Sequence, residues 1–217
     1  MIGVIRYGLA LVAATAFLAV GPVAAGAQEP RLEDRLAEPF RGRVEAILDS
    51  AARQMLPTEP LVDRALEGAA MGVSGERIVQ AVRRLAGELR VARDALGPGS
   101  TPEEVVAGAS ALRAGATPEQ LHQLRGVRGD RSVMVAAGVL ADLVAVGVPH
   151  DTAVAAVLAL AERVDDAEYV AFRRNVERDI ALGASPVAAV GVRLGAADAV
   201  TGLEAAPGAG TPQPRKP

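Results

Sequence analysis

The sequence has no cysteine and few aromatic residues, and both absences limit the chemistry available to it. Without cysteine, the chain forms neither a disulfide bond nor a thiolate zinc site, and it has no cysteine nucleophile. Aromatic residues make up 2% of the 217 residues. Since nucleic-acid-binding surfaces stack bases on aromatic side chains and carry positive charge, this composition and a net charge of −3 argue against a nucleic-acid partner.

Small apolar residues dominate what is present. Half of the chain is hydrophobic, and 45 residues are alanine. Alanine is the best helix former and is depleted in strands, where aromatic residues are usually enriched. The composition therefore predicts an all-α protein, and no segment has the pattern of a strand.

The first 27 residues have the pattern of a secretory signal peptide. Arg6 is followed by an apolar stretch over 9–20, by a helix-breaking Gly-Pro pair, and by Ala25-Gly26-Ala27. This order of a basic residue, an apolar segment and small residues is typical of a cleaved signal. We therefore expect an exported protein, periplasmic or extracellular, that begins at Gln28. The alternative is an uncleaved anchor, because the uncharged run over 7–27 is long enough to span a bilayer.

No later stretch reaches transmembrane length without a charged residue. The nearest candidate, 133–149, is interrupted by Asp142. One helical stripe holds Val133, Ala137, Leu140 and Val144, and the opposite stripe holds Asp142 together with Arg131, Val135, Gly138 and Ala145. This division predicts a buried core helix with one thin polar edge. We therefore expect no membrane span after signal cleavage.

One short connector recurs four times between apolar helical patterns. It contains Gly72, Gly115, Gly147 or Gly183, then a small apolar residue, and in three copies a Ser or Thr. Glycine ends a helix by adopting positive φ, and Ser or Thr caps the next helix. In the third copy, which lacks a hydroxyl, Asp151 is the expected cap.

The glycine positions give spacings of 43, 32 and 36 residues, which is the range of two-helix repeats. We therefore predict antiparallel helical hairpins stacked as a degenerate repeat array. An irregular bundle is the alternative, since any helical protein can reuse these end signals.

The expected domain organisation has three parts. A signal peptide over 1–27 is followed by one all-helical domain over 28–204, with a sub-boundary expected near 97–101 because Pro and Gly cluster there. The Pro- and Gly-rich tail over 205–217 is expected to be disordered. The predicted helices cover 31–37, 40–55, 61–71, 76–96, a segment starting after Thr101, 118–127, 131–146, 152–163, 167–182 and 186–194.

The segment 76–96 has the clearest helical periodicity in the chain. Ile78, Val82, Leu85 and Leu89 recur at alternating spacings of four and three residues. This seam is expected to be buried in the longest helix of the exported chain. If it were exposed, it would be the contact of a homo-oligomer.

Candidate metal ligands are few. Glu119 and His122 lie three residues apart on a predicted helix, and His150 is the second of two histidines. A catalytic zinc normally needs three protein ligands, and neither histidine has further ligands nearby in sequence. The acids Glu162, Asp165, Asp166 and Glu168 lack the spacing of a calcium loop and are expected to begin a helix. We therefore expect no metal and no cofactor.

Motifs for nucleophilic or phosphate chemistry are also incomplete. The segment 72–76 has Glu76 where a nucleophile elbow has its second glycine, so Ser74 is expected to be a cap. The segment 97–101 lacks the lysine of a phosphate loop. Glu103 and Glu104 are adjacent, so on a helix they point in different directions and cannot face one substrate.

Arginine clusters are interpreted as solvated helix faces because acids are interleaved with them. They occur at Arg83, Arg84, Arg90 and Arg93, at Arg125, Arg128 and Arg131, and at Arg173, Arg174 and Arg178. Tyr169 and Phe172 lie on one helix face and are expected in the core.

These observations predict an exported, non-catalytic protein that binds another protein of the cell envelope or has a structural role there. No site residue, catalytic or ligand-binding, is assigned from the sequence. One alternative is a carrier that holds an apolar or lipid ligand between helices. A less favoured alternative is a periplasmic hydrolase, which would need His122 or His150 beside a carboxylate or a serine.

Overall fold

A computed structural model describes residues 29–204, with side-chain environments for residues 31–196. Within this range every regular element is a helix, so the all-α prediction is confirmed. The predicted signal peptide over 1–27, its cleavage before Gln28 and the tail over 205–217 lie outside the described residues. The helices are α1 (Glu29–Glu33), α2 (Phe40–Arg53), α3 (Glu59–Ala70), α4 (Gly75–Leu96), α5 (Pro102–Arg113), α6 (Pro118–Arg128), α7 (Met134–Ala145), α8 (His150–Leu160), α9 (Asp166–Ala181) and α10 (Pro186–Glu204).

Three helices begin at a capping box, in which the cap and the third helical residue satisfy each other's backbone N–H groups. Thr101 pairs in this way with Glu104, and Thr117 pairs with Gln120. Asp165 and Glu168 form the third box at the start of α9. Of the acids predicted to begin that helix, Asp165 and Glu168 therefore do so through specific hydrogen bonds.

The expected cap at Asp151 is wrong. Helix α8 begins at His150 after Pro149, and no side chain caps it. Asp151 lies inside the first turn, beyond the position from which a side chain reaches the free N–H groups. Its charge still faces the positive end of the helix dipole.

The four connector glycines all have positive φ, from 69° at Gly72 to 107° at Gly115. After each glycine, the next residue donates its N–H to the carbonyl five residues earlier. Val148 donates to Leu143 at 3.0 Å, and the other three connectors have the same bond. This pattern is the Schellman motif, which satisfies the last carbonyls of a helix. The predicted positive φ of Gly147, which is 92°, is confirmed.

Helix α4 occupies the centre of the packing. It contacts α2, α3, α5 and α6, while α5 also packs on α7, and α7 packs on α8 and α9. Helix α10 contacts α8 and α9. The buried apolar residues form one cluster that runs from Leu32 to Val190. The contacts from α4 to α5 and α6 therefore cross the segment 97–101.

The seam of α4 is buried inside the monomer. Ile78, Val82 and Leu89 are at most 4% exposed, and Leu85 is 8% exposed. At 22 residues, α4 is also the longest of the described helices, as predicted. Neighbouring helices cover this seam within the monomer, so the exposed seam that a homo-oligomer contact along 78–96 would need is not seen.

Among the described residues, no helix is both long and apolar enough to cross a membrane. The predicted apolar stripe of α7 is buried at Ala137 and Leu140, and so is Val133, the residue that precedes the helix. On its other side, Asp142 accepts a hydrogen bond from Arg173 of α9 at 2.9 Å. The predicted division of this helix into an apolar and a polar side is thus observed.

Candidate functional site

The sequence candidates for metal binding are spread over the surface. His122 is exposed on α6, where its Nδ1 lies 3.3 Å from the Ala95 carbonyl oxygen. Glu119, in the first turn of the same helix, is also exposed. In the part of the chain that the structure describes, no three His, Asp or Glu side chains are grouped so that they could hold a metal ion.

His150 lies between two connectors. Its Nδ1 is 3.0 Å from Oδ1 of Asp151, a side chain that is 97% exposed. Its ring packs on Gly115, where an added Cβ would stand 3.1 Å from the ring. The Nε2 atom is buried and has no hydrogen-bond partner among the described residues. His150 is therefore placed as a packing residue between neighbouring connectors.

Arginines 125, 128 and 131 bind the protein's own backbone and acids. Arg128 is 3% exposed, donates to the Val164 carbonyl and to Asp166, and places its guanidinium 5.4 Å from the centre of the Tyr169 ring. Arg131 donates to the carbonyls of residues 161, 162 and 164. Because the contacts of Arg128 and Arg131 bind carbonyls of the turn that follows α8, these two residues are structural, and the solvated face expected for this cluster is wrong for Arg128.

Tyr169 and Phe172 are in the core, as predicted. The Tyr169 hydroxyl donates to the Val157 carbonyl at 2.6 Å. Burial raises the pKa of Tyr169 to about 12, although the charges of Arg128 and Arg131 oppose this rise.

Glu104 is a buried carboxylate with a structural role. It is 4% exposed and accepts hydrogen bonds from the backbone N–H groups of Thr101 and Val133. Its Oε1 lies 2.7 Å from a guanidinium nitrogen of Arg125. Burial opposes ionisation, but Arg125 and the two N–H groups outweigh it and lower the pKa of Glu104 to about 2. Its neighbour Glu103 is exposed, so the two carboxylates diverge as predicted.

The motif segments 72–76 and 97–101 are both connections between helices. Ser74 occupies the cap position of α4, although its side chain makes no cap hydrogen bond. The Ser100 hydroxyl donates to the Gly97 carbonyl at 2.7 Å. Both serines therefore lie in turns that join helices.

An open apolar groove of about 630 Å³ lies across α3, α5, α7 and α9; we call it the α7 groove. Ten of its 14 lining residues are apolar or glycine, so its surface favours an apolar occupant. Met134 and Val170 are 41% and 37% exposed at its surface. The lining comprises Pro57, Glu59, Pro60, Pro102, Glu103, Val106, Ala107, Met134, Val135, Gly138, Val139, Asp142, Val170 and Arg173.

A second groove, of about 490 Å³, adjoins the first and is called the α3 groove. The two share Glu59, Pro60 and Val106, so they form a continuous depression. The remaining lining of the α3 groove consists of Asp63, Arg64, Glu67, Leu85, Leu89, Ser110 and Arg113.

Gly138 keeps the α7 groove open. A Cβ at this helical position would have no atom within 4 Å, so a larger side chain there would extend into free space. Sequence reasoning placed Val135, Gly138 and Asp142 on the polar stripe of α7 but did not identify a groove. The sequence feature that could have indicated the groove is the presence of valine and glycine on a helical stripe expected to face water.

No protein-family model matches this chain, and no curated protein or solved structure is significantly similar to it.

Proposed function

We propose that the chain is an exported, non-catalytic protein of the cell envelope that binds another protein through the α7 groove. The observation that carries this proposal is the continuous apolar lining of that groove, with Met134 and Val170 exposed at its surface. Exposed apolar patches rimmed by polar residues mark interaction sites, because leaving them in water costs free energy. Charged residues at the rim, Glu59, Glu103, Asp142 and Arg173, fit this arrangement.

We also propose that α3 to α10 form four stacked helix pairs, each joined by one connector glycine, with α5 packed mainly on α4 and α7. Two equivalent contacts support this arrangement. His150, three residues after Gly147, packs on Gly115, and Pro186, three residues after Gly183, lies 4.0 Å from the Cβ position of Gly147. Helical arrays hold extended binding surfaces on one layer of helices, and α3, α5, α7 and α9 would form that layer.

Site-specific cross-linking tests the binding function. A benzophenone amino acid replaces Val170 at the groove or, as a control, Val192, which is 64% exposed on α10. In cells expressing the full-length chain, we expect a discrete polypeptide adduct from position 170 and none from position 192. Gly138→Leu should remove the adduct, because its side chain fills the groove. If no adduct forms, or if it survives Gly138→Leu, the groove is not the binding site.

The alternative of an apolar-ligand carrier is supported by the size of the groove. A volume of about 630 Å³ lies within the range of small-molecule sites, which is roughly 300–1,000 Å³. A lipid adduct from position 170, together with a co-purified lipid in a native mass spectrum, would favour the carrier over the protein-binding function.

A further inference from the structure

The two grooves contain more carboxylates than guanidinium groups. Five acids line them: Glu59, Asp63, Glu67, Glu103 and Asp142. The three arginines that line them are each held by an acid: Arg64 by Glu67 at 3.0 Å, Arg113 by Glu88 at 3.1 Å, and Arg173 by Asp142 at 2.9 Å. The cationic side chains of the grooves are therefore already neutralised within the protein.

Two of these five carboxylates have no cationic partner among the described residues. Glu59 is paired with Arg31 at 2.9 Å, but Asp63 and Glu103 form no ion pair with any described residue. Both side chains are exposed. Asp63 lines the α3 groove and Glu103 lines the α7 groove, so each half of the depression has one unpaired negative charge.

The negative charge is also concentrated along α3. Glu59, Asp63 and Glu67 are spaced four residues apart, which places them on one face of the helix. Arg31 balances Glu59 and Arg64 balances Glu67, which leaves Asp63 as the uncompensated charge of this face. A positive charge bound beside Asp63 would balance it, whereas an anionic ligand would be repelled.

Resting on the proposed function, we infer that the occupant is an amphipathic helix of another protein, with an apolar face bordered by Lys or Arg. Its apolar face packs on Val106, Met134 and Val135, and its basic residues lie beside Asp63 and Glu103. This mode of recognition places one helix face in an apolar groove and uses charged residues at the border for selectivity. A neutral lipid would leave both carboxylates unpaired, and a fatty acid would be repelled by them.

Two labelled peptides of about 18 residues test this inference, since such a helix covers about five turns. Both have the same Leu and Ala face, which Lys borders in one and Glu in the other. Anisotropy titrations use protein expressed from the full-length chain. We expect the Lys peptide to bind about tenfold more tightly than the Glu peptide, and the difference to shrink at high salt.

Charge reversal supplies the decisive comparison. In the double variant Asp63→Lys and Glu103→Lys, the preference should change to the Glu peptide. The matched control, Asp94→Lys and Asp130→Lys, reverses two exposed acids outside the grooves and gives the same net charge, so it should keep the preference for Lys. If the groove variant keeps that preference, or the control loses it, the inferred charge pairing is wrong.

Filling the groove with a larger side chain distinguishes a failure of the inferred charge pairing from a failure of the proposed function. Gly138→Leu should abolish binding of both peptides, while Gly126→Leu, at a helical glycine of α6 that also has free space around it, should leave binding unchanged. Melting curves check that both variants fold. If neither peptide binds the original chain, or Gly138→Leu has no effect, the groove is not a binding site and the proposed function fails.

If deleting 205–217 raises the affinity for the Lys peptide, the basic end of the chain itself is the occupant, and the inferred partner is wrong.

Discussion

At the scale of single residues, the backbone conformation at the connectors imposes the strictest requirement on which amino acid can occupy a position. Positive φ is costly for L residues, because Cβ approaches the backbone carbonyl. Gly147 has φ of 92° and helical Gly126 does not have positive φ, so the two glycines serve different purposes. Met55 has φ of 55° at an equivalent turn, which shows that a non-glycine residue occupies this conformation once among the described residues.

Replacing Gly147 should therefore destabilise the fold. We expect Gly147→Val to lower the free energy of unfolding by more than about 1 kcal/mol, because the side chain is strained in the turn that sets the angle between α7 and α8. Gly126→Ala should raise it by about 0.5–1 kcal/mol, and His122→Ala should change it by less than about 0.5 kcal/mol. Urea melts measure all three. A larger loss from the histidine change would contradict the structural importance of the connector.

Glu104 should make stability depend on acid pH. Its pKa is about 2 in the folded chain and ordinarily 4.5, so its contribution is present above about pH 4.5 and is lost as the pH falls toward 2. We expect Glu104→Gln to cost about 3 kcal/mol at pH 7 and less near pH 2. Unfolding free energies across this pH range measure the effect.

The adjacent residue provides the control for this prediction. Glu103 is exposed and forms no ion pair with a described residue, so Glu103→Gln should change the unfolding free energy at pH 7 by less than about 0.5 kcal/mol. If the original chain and Glu104→Gln lose stability in parallel between pH 4.5 and 2, the ion pair with Arg125 does not stabilise the fold.

At the scale of elements, α4 owes its stability to the helices around it. Glu88 accepts hydrogen bonds from Arg113 of α5, although Arg84 lies four residues before it on the same helix. An ion pair between helices fixes their relative position, which a pair within one helix does not do. The apolar seam acts in the same way, because its residues contact other helices.

Removing part of this seam should cost more than changing an exposed apolar residue. Leu85 is 8% exposed, so Leu85→Ala should lower the unfolding free energy by about 2–5 kcal/mol. Met71, which is 73% exposed, provides the comparison, and Met71→Ala should be close to neutral. Denaturant melts at two protein concentrations give both values. A midpoint for Leu85→Ala that depends on concentration would indicate an intermolecular contact instead of monomer packing.

At the scale of the whole molecule, packing across 97–101 connects the two parts of the chain. Helix α4 precedes this segment and contacts α5 and α6 after it. We therefore expect one cooperative unfolding transition, although the Pro and Gly residues suggested a sub-boundary. Circular dichroism, which follows all helices, and the Tyr169 absorbance should give the same urea midpoint. Two separated midpoints would show that 97–101 divides the chain into independently stable parts.

Export is the second property that concerns the whole chain. The residues that predict it, 1–27, lie outside the described range, so the prediction depends on the sequence pattern alone. We expect N-terminal sequencing of protein from the extracytoplasmic fraction to begin at Gln28. Recovery of Met1 from a membrane fraction would support the uncleaved anchor.

The sequence by itself determined the helical class, most helix positions and the turns between them, because these depend on local backbone preferences. Thr101, Thr117 and Gly147 act through bonds to residues a few positions away, so their effects are visible in a linear pattern. The predicted cap at Asp151 was wrong because α8 begins two residues earlier than expected, which places Asp151 inside the first turn.

Only the tertiary structure decided which helix faces meet, and hence where the candidate site lies. The α7 groove combines residues from four helices that lie between Pro57 and Arg173 in the sequence, and no local pattern specifies that they converge. Arg128 and Glu104 resemble solvated residues in the sequence, yet both are buried. Arg128 donates hydrogen bonds to residues 132, 164 and 166. Glu104 pairs with Arg125 and accepts a hydrogen bond from the backbone N–H of Val133. Burial and charge pairing depend on long-range packing, whereas helix formation and capping depend on neighbours in the chain.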